Sequence, residues 1–408
     1  MASSVVADIA SAIARLAVAR DGDECVLGRP DLGIYVAVPE PGAVLVETLQ
    51  SGGTLADATA AASQAAGAEV DGQDFLDGLA AAGLLDTSAG PAGGTSQARG
   101  RVRWIEGVRP ETARRLFGGT AWTLYGLAAA FAAGVLLLRP DLRPSFEHSW
   151  WLPDPVLSVL VLLPVWFVLG AIHEAWHWLA GRAVGVPAVF RVSYRGAFLV
   201  FETDLTQIAT TPRRRRYGPF LAGMAVDSVW LTIALGLRLA NREGALALPG
   251  PLDRLLAALV LVLVFGIVWQ FAAVFMRSDM YAVLANALRC HDLYRATFLT
   301  TKDRLWRLTE AEAGELSSMS EHDRRVARWF GVVYLAGMIV VGWTVLAWGV
   351  PYAIGMLLWV QRNLGSARLT SAGFWESVAV ALAVVGQLFA PPLLALRERR
   401  LRSTRGLR

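Results

Sequence analysis

Cysteine is nearly absent from this chain: Cys25 and Cys290 are the only two in 408 residues, and no C-x-x-C pair occurs. A disulfide framework is thereby excluded, and both residues are expected as free cytosolic thiols. Charge is scarce too. Asp, Glu, Lys and Arg make up 18% of the residues, against about 25% in soluble domains. The net charge of +4 rests mostly on arginine, and the clusters lie beside apolar runs. That pattern fits membrane topology and argues against nucleic-acid binding. The first residues carry neither a basic stretch nor an apolar core, so no cleaved signal peptide is expected. Histidine is also rare, with five in all.

What the chain does have is apolar residues, 55% of the total and concentrated beyond Thr120. Six runs, at about 120–138, 156–181, 217–238, 254–276, 328–350 and 372–396, each approach the roughly 20 residues that a helix needs to cross a bilayer. The stretch "PYAIGMLLWV" (351–360) is too short to cross alone. It is expected either to extend the fifth helix beyond a kink at Pro351 or to lie in the interface. Basic residues gather before the first run (Arg101, Arg103, Arg109, Arg114, Arg115), before the third (Arg213, Arg214, Arg215, Arg216), across 277–325 and in the tail "RERRLRSTRGLR". The loops at 139–155, 239–253 and 361–371 carry few. Six crossings with both termini cytosolic put every basic segment on one side. The fifteen tryptophans suit interfacial anchoring.

Residues 1–118 read as soluble. "ECVLGRP" and "GIYVAVPEPGAVLVETL" have extended, β-branched character broken by Gly and Pro. "TLADATAAASQAAG" begins at a Thr cap and continues as Ala-rich helix, and "DGQDFLDGLAAAGLL" spaces Phe75, Leu79 and Leu84 near the helical period. The Gly/Ser/Pro-rich tract "DTSAGPAGGTSQARG" (86–100) reads as a flexible linker. The expected chain is therefore multi-domain. Residues 1–86 form a small N-terminal α+β winged-helix-like domain, and 87–118 a linker and juxtamembrane segment. Residues 119–400 form a polytopic α-helical membrane domain of about six transmembrane helices, followed by a basic cytosolic tail at 401–408.

Inside the second run, residues 171–179 read "AIHEAWHWL". The H-E-x-x-H spacing puts His173 and His177 on one face of a helix, able to bind one zinc ion, with Glu174 beside them to take a proton from zinc-bound water. Ionisable groups in a membrane helix are costly and usually functional. A catalytic zinc needs a third protein ligand, and two aspartates are candidates: Asp227 in "LAGMAVDSVW" and Asp279 in "FMRSDMYAVL". Asp227 lies about 15 Å into its span at helical rise, a depth comparable to that of His173. Asp279 lies just past the fourth run. Depth favours Asp227, but spacing alone leaves both open. Between the histidines and these aspartates, "VFRVSYRGAFLVFETDL" (189–205) reads as a hairpin around Arg195-Gly196. It could hold a peptide extended by strand addition, or simply cap the bundle; its Glu202 and Asp204 read as solvated. His148, His291 and His322 read as ordinary surface or interfacial residues. Cys290 and His291, being merely adjacent, do not make a coordination sphere. The acidic stretch "TEAEAGELSSMSEHD" reads as a solvated helix or loop.

On these residues the chain resembles the site-2 protease family of intramembrane zinc metalloproteases. It is most similar to a peptide-processing branch in which the H-E-x-x-H helix continues as "LAGRAVGV" does here. The resemblance covers about residues 155–300. It implies that the third ligand is the aspartate of an L-D-G motif in a stretch that re-enters the membrane, which "SDMYAVLANAL" matches at Asp279 and Tyr281. It also aligns "AGMAVD" with an A-G-P-x-x-N element, placing Asp227 where asparagine is frequent. The chain departs from the family pattern at Ala273-Val274, where the family has Asn-Pro, and at Met280 and Trp176, where it has glycine. The implied site is one catalytic Zn2+ on His173, His177 and Asp279, with Glu174 as general base and Asp227 as an orienting group or alternative ligand.

The front domain, with "VLGRPDLGIYVAVPEPGAVLVETLQSGGTLADATAAA" and "FLDGLAAAGLL", is similar to the PqqD-like peptide chaperones, which bind leader peptides of ribosomally made, modified peptides. Together the resemblances imply a zinc endopeptidase of a prokaryotic plasma membrane that cleaves such leaders from their precursors. The partners would be a precursor or other membrane-associated peptide and the lipid bilayer, with no nucleic acid. Two other readings stay open: site-2-type regulated proteolysis of a membrane-anchored regulator or signal peptide, and a non-proteolytic membrane peptide-binding or export partner.

Overall fold

The computed structural model describes residues 10–21, 24–29, 34–86, 108–186, 188–195, 198–366, 369–383 and 385–386. The chain divides into two units. One comprises Met1–Arg114, Trp178–Phe190 and Thr203–Pro219; the other comprises Arg115–His177, Arg191–Glu202 and Phe220–Arg408.

In the first unit a helical stretch (α1, residues 10–14) leads into β1 (Ala17–Asp21), β2 (Glu24–Arg29) and β3 (Ile34–Val38), an antiparallel sheet in the order β1-β2-β3. Cys25 stands opposite Arg20 on one side and Val38 on the other. Three helices follow: α2 (Glu40–Gln50), α3 (Leu55–Ala66) and α4 (Gly72–Ala81). The sequence reading located strands from residue 24 and carried extended structure through Leu49, so α1, β1 and the helical state of α2 are new. Pro39 at the N-cap and Pro41 in the first turn start α2 where no amide need be donated. Burial of Ala43, Leu45 and Val46 then outweighs the β preference of its valines. The helix α3 begins where expected, with Thr54 and Asp57 forming a capping box, and ends on left-handed Gly67 at φ +64°.

Ile13, Leu16, Cys25, Leu27, Val46, Leu79 and Leu84 form one apolar core, with Phe75 packed against it. Cys25 is thus a buried free thiol with a packing role. Arg29, fully buried, donates from Nη1 to the carbonyls of Leu84 (2.8 Å) and Asp86 (3.2 Å), closing the end of the domain onto β2. The other face of the sheet is covered within the same unit by the 3-10 turn Thr206–Thr210, which packs on β1 and β2. The expected linker at 87–107 lies outside the described residues.

Among the described residues, five helices are long and apolar enough to cross a bilayer: Pro110–Leu138, Val156–Ala183, Arg213–Arg242, Gly250–Ala272 and Glu321–Ala347. They fall on the first five expected runs, and by length and composition the chain is a membrane protein. In element terms these are α5 (Pro110–Leu116) with α6 (Gly119–Leu138), then α7 (Pro155–Ala183), α8 (Arg213–Arg242), α9 (Gly250–Ala272) and α13 (Glu321–Thr344). Between them lie α10 (Asp279–Ala287), α11 (Leu293–Leu305) and α12 (Glu310–Ser318). The expected hairpin is present as β4 (Val189–Arg195) paired with β5 (Phe198–Asp204). Past α13 the chain stays helical through a π-turn at Val345–Gly349 into α14 (Val350–Ser366). The run at 351–360 therefore extends the fifth helix, and the distortion falls before Pro351, which has no N–H for the turn behind it. The sixth run begins as a shorter apolar helix, α15 (Ala372–Ala383); residues 387–396 of the expected run and the tail lie outside the described residues.

Side-chain exposure in the second unit is inverted relative to a water-soluble bundle. Leu138, Leu137 and Phe265 are 81%, 72% and 64% exposed, positions that hydrocarbon solvates without cost. The interior is built from α6, α8 and α9 around Ala132, Leu235, Ala234 and Val260, where small residues let helices approach closely. Half of the apolar window of α8 is buried, the highest share among the five spans. That central helix carries Asp227.

Candidate metal centre

His173 and His177 sit one turn apart on α7, and their rings face each other in a T-shaped arrangement with centroids 4.9 Å apart. The Nε2 atoms are separated by 3.2 Å. Asp279 brings its Oδ2 to 3.0 Å from the first Nε2 and 3.1 Å from the second. These three distances describe a nearly equilateral triangle. Donors 2.0–2.1 Å from a tetrahedral ion lie about 3.3 Å from one another, so the triangle has the dimensions of one face of such a sphere.

The second carboxylate has a different place. Asp227 Oδ2 lies 2.7 Å from His173 Nδ1, on the far side of the ring. An ionised carboxylate only accepts, so Nδ1 donates to it; in the neutral ring Nε2 then keeps its lone pair, directed at His177 and Asp279. Three acceptor atoms then converge on one point. Such a cluster is satisfied by protons on the imidazoles or by a cation at its centre, and a nitrogen, nitrogen, oxygen set suits a first-row divalent ion. Both aspartates that the sequence left in competition are present, each on its own nitrogen of His173. Glu174 offers a carboxylate oxygen that lies, with ligand atoms of His173 and His177, within a 4.8 Å group.

Local chain geometry explains how Asp279 reaches this point. The helix α9 ends at Ala272, a 3-10 turn spans Val274–Met276, and Arg277 takes a left-handed conformation at φ +60°. Ser278 then caps α10, accepting from the Tyr281 N–H at 3.3 Å. Gln270, in the last turn of α9, binds both residues at the new N-terminus. Its backbone oxygen accepts from Ser278 Oγ at 2.7 Å, and its Oε1 accepts from the Asp279 N–H at 2.9 Å. The carboxylate is thus held by a reversal pinned to the preceding span.

Space for an ion comes from Gly223 on α8. A Cβ built there would lie 2.5 Å from His177 Nε2 and closer still to His173 Nε2. Its distances from both nitrogens are close to those of an ion bound to the pair. Neither Gly223 nor Gln270 was singled out from sequence. The only signal was a glycine inside an apolar helical run, in "LAGMAVD", which often marks close approach of another group.

Tyr281 and Trp176 have other tasks. Tyr281 accepts the Tyr294 N–H at 2.8 Å through its hydroxyl, and burial pushes its phenol well above the ordinary range. Trp176 donates from Nε1 to the Tyr125 hydroxyl at 3.1 Å, tying α7 to α6. His148 accepts the Ser145 N–H at 3.0 Å through Nδ1. Burial and the Arg238 guanidinium hold it below the usual imidazole value, so it stays neutral at pH 7.

If Asp227 orients His173 from behind, Asp227→Asn keeps an acceptor for Nδ1–H but removes its charge. Metal affinity is expected to fall about 10–100-fold with saturation still reached. Asp279→Asn is expected to fall further, since it withdraws an anionic donor. Equilibrium dialysis of the two variants ranks them; the reverse order would exchange their roles. Comparison with protein-family models, curated proteins and solved structures gave no match for this chain.

Proposed function

We propose that this chain is an intramembrane zinc endopeptidase, with both termini cytosolic, that cleaves leader peptides from ribosomally synthesised precursor peptides. The observation that supports it most is the convergence of His173 Nε2, His177 Nε2 and Asp279 Oδ2, with Glu174 next to His173, on a helix able to cross a bilayer. A zinc ion held there by His173, His177 and Asp279 would supply a Lewis acid for the scissile carbonyl and would acidify the attacking water.

The chain's own residues do the rest. Asp227 keeps the His173 lone pair on Nε2 and fixes the ring. Asp279 contributes negative charge that offsets the cation inside an apolar surround. Glu174 is the general base: it takes the proton of the attacking water and returns it to the departing amine. In the first unit β3 ends the sheet, and an extended leader can add along such a strand by main-chain hydrogen bonds, with pockets reading alternate side chains. Carrying that element in the same chain raises the effective concentration of the precursor at the protease.

The test is full-length protein in lipid nanodiscs, incubated with precursor peptides and read by mass spectrometry. One cut at the leader boundary is expected, abolished by a chelator, restored by zinc, and slowed by excess free leader. Cleavage confined to helical transmembrane peptides would move the reading to regulated proteolysis of membrane-anchored proteins. Metal-loaded protein that cuts neither substrate would end the peptidase assignment.

A further inference from the structure

We propose that Cys290, His322 and Asp323 form a second site for a divalent metal of the zinc class, separate from the histidine pair on α7. Ligand atoms from these three residues lie within 4.8 Å of one another. None was read as a ligand from sequence, because Cys290 and the other two are more than thirty positions apart.

Two helix ends build the cluster. At the end of α10, Leu288 is followed by left-handed Arg289 at φ +57°, and the Cys290 N–H donates back to the Ala285 carbonyl at 3.0 Å. That reversal delivers Cys290 to the start of α13. There Ser320 caps the helix by accepting the Asp323 N–H at 3.0 Å, which sets His322 and Asp323 in the first turn. The α10 helix has nine residues, a span of about 13 Å at helical rise. Asp279 and this cluster therefore occupy opposite ends of it and cannot share an ion.

The polar atoms are arranged as a ligand set. Asp323 is 5% exposed, and its Oδ1 is buried with no hydrogen-bond partner. Its Oδ2 accepts only a long bond from the His291 N–H, at 3.4 Å. A buried carboxylate oxygen left this way calls for a cation or a donor. His322 donates from Nε2 to the Leu288 carbonyl at 2.7 Å, which leaves the lone pair on Nδ1. A metal-binding imidazole is commonly oriented in this way, through its other nitrogen to a backbone carbonyl. Cys290 supplies sulfur, and binding displaces its thiol proton to solvent. One thiolate, one imidazole and one carboxylate make a borderline-soft set that suits zinc, with a fourth position left for water.

The sulfur makes the site separable from the first, which has none. Full-length protein in detergent, loaded with Co2+ as the probe, is expected to show a thiolate-to-cobalt charge-transfer band in the near ultraviolet. Cys25→Ser keeps the band; Cys290→Ser abolishes it and lowers bound metal by one ion per chain. His322→Ala and Asp323→Asn weaken cobalt binding at least about tenfold. His173→Ala with His177→Ala removes the other ion and leaves the band, so loss of the peptidase reading and loss of this one are told apart. If Asp323→Asn does not fold, Cys290→Ser still decides, since it exchanges one atom at a partly exposed position. No thiolate band in saturated wild-type protein, or a band that survives Cys290→Ser, overturns the proposal.

Discussion

Gly223→Ala is expected to empty the proposed metal centre on α7 although it removes no donor group. The added methyl carbon would stand 2.5 Å from His177 Nε2 and nearer to His173 Nε2, in the volume that an ion 2.0–2.1 Å from both nitrogens must fill. Metal sites tolerate about 0.2 Å in their bond lengths, so the ion and the methyl group exclude each other. Affinity is expected to fall by more than about 100-fold, well beyond what loss of an outer hydrogen bond produces. Alanine is a better helix former than glycine by about 1 kcal/mol, but contacts this short force the imidazoles or α8 to shift, so thermal unfolding is measured beside metal content. Gly236, on the same helix with open space around it, is the control: Gly236→Ala keeps the ion. Metal content is best counted in a Cys290→Ser background, so that only this centre contributes. Wild-type affinity in the Gly223→Ala protein would show that the ion sits elsewhere.

Glu174→Gln is expected to retain the ion and lose turnover by about 10²–10⁴-fold, the usual contribution of a positioned general base. The amide has the same shape and similar helix propensity, but it cannot accept a proton at neutral pH. The informative readout is the pair of measurements, metal per chain and cleavage rate, on one preparation. Loss of both together would make Glu174 a ligand, a role that its place within the 4.8 Å group leaves geometrically open. Retained turnover would remove it from the chemistry.

The membrane-crossing helices were legible in the sequence because their signal is local. A run of about twenty apolar residues has few alternatives once a bilayer is present, and five of the six expected runs appear as such helices. The histidine pair was legible for the same reason, since i and i+4 fix a shared helix face. Asp279 was named as a candidate and favoured only through the family resemblance, not through spacing, because its position depends on a left-handed Arg277 and on Gln270 turning the chain back, and neither leaves a periodic trace. Depth along a straight helix pointed instead to Asp227, which does reach His173, but at Nδ1. In the first unit, alternating β-branched residues suggested extension through Leu49. The Pro-led start and the buried inner face of α2 decided otherwise. The Cys290, His322 and Asp323 cluster joins two helix ends distant in sequence, which residue spacing cannot report.

The Gln270 clasp bears on what happens when the protein is stripped by a chelator. Its two hydrogen bonds hold the start of α10 through groups that never touch an ion, and the paired imidazoles are set by helical geometry. The proposed coordination cage would thus be preorganised, in contrast to small zinc modules whose fold collapses on demetallation. Apoprotein should accordingly stay native, and reloading should proceed without a refolding phase.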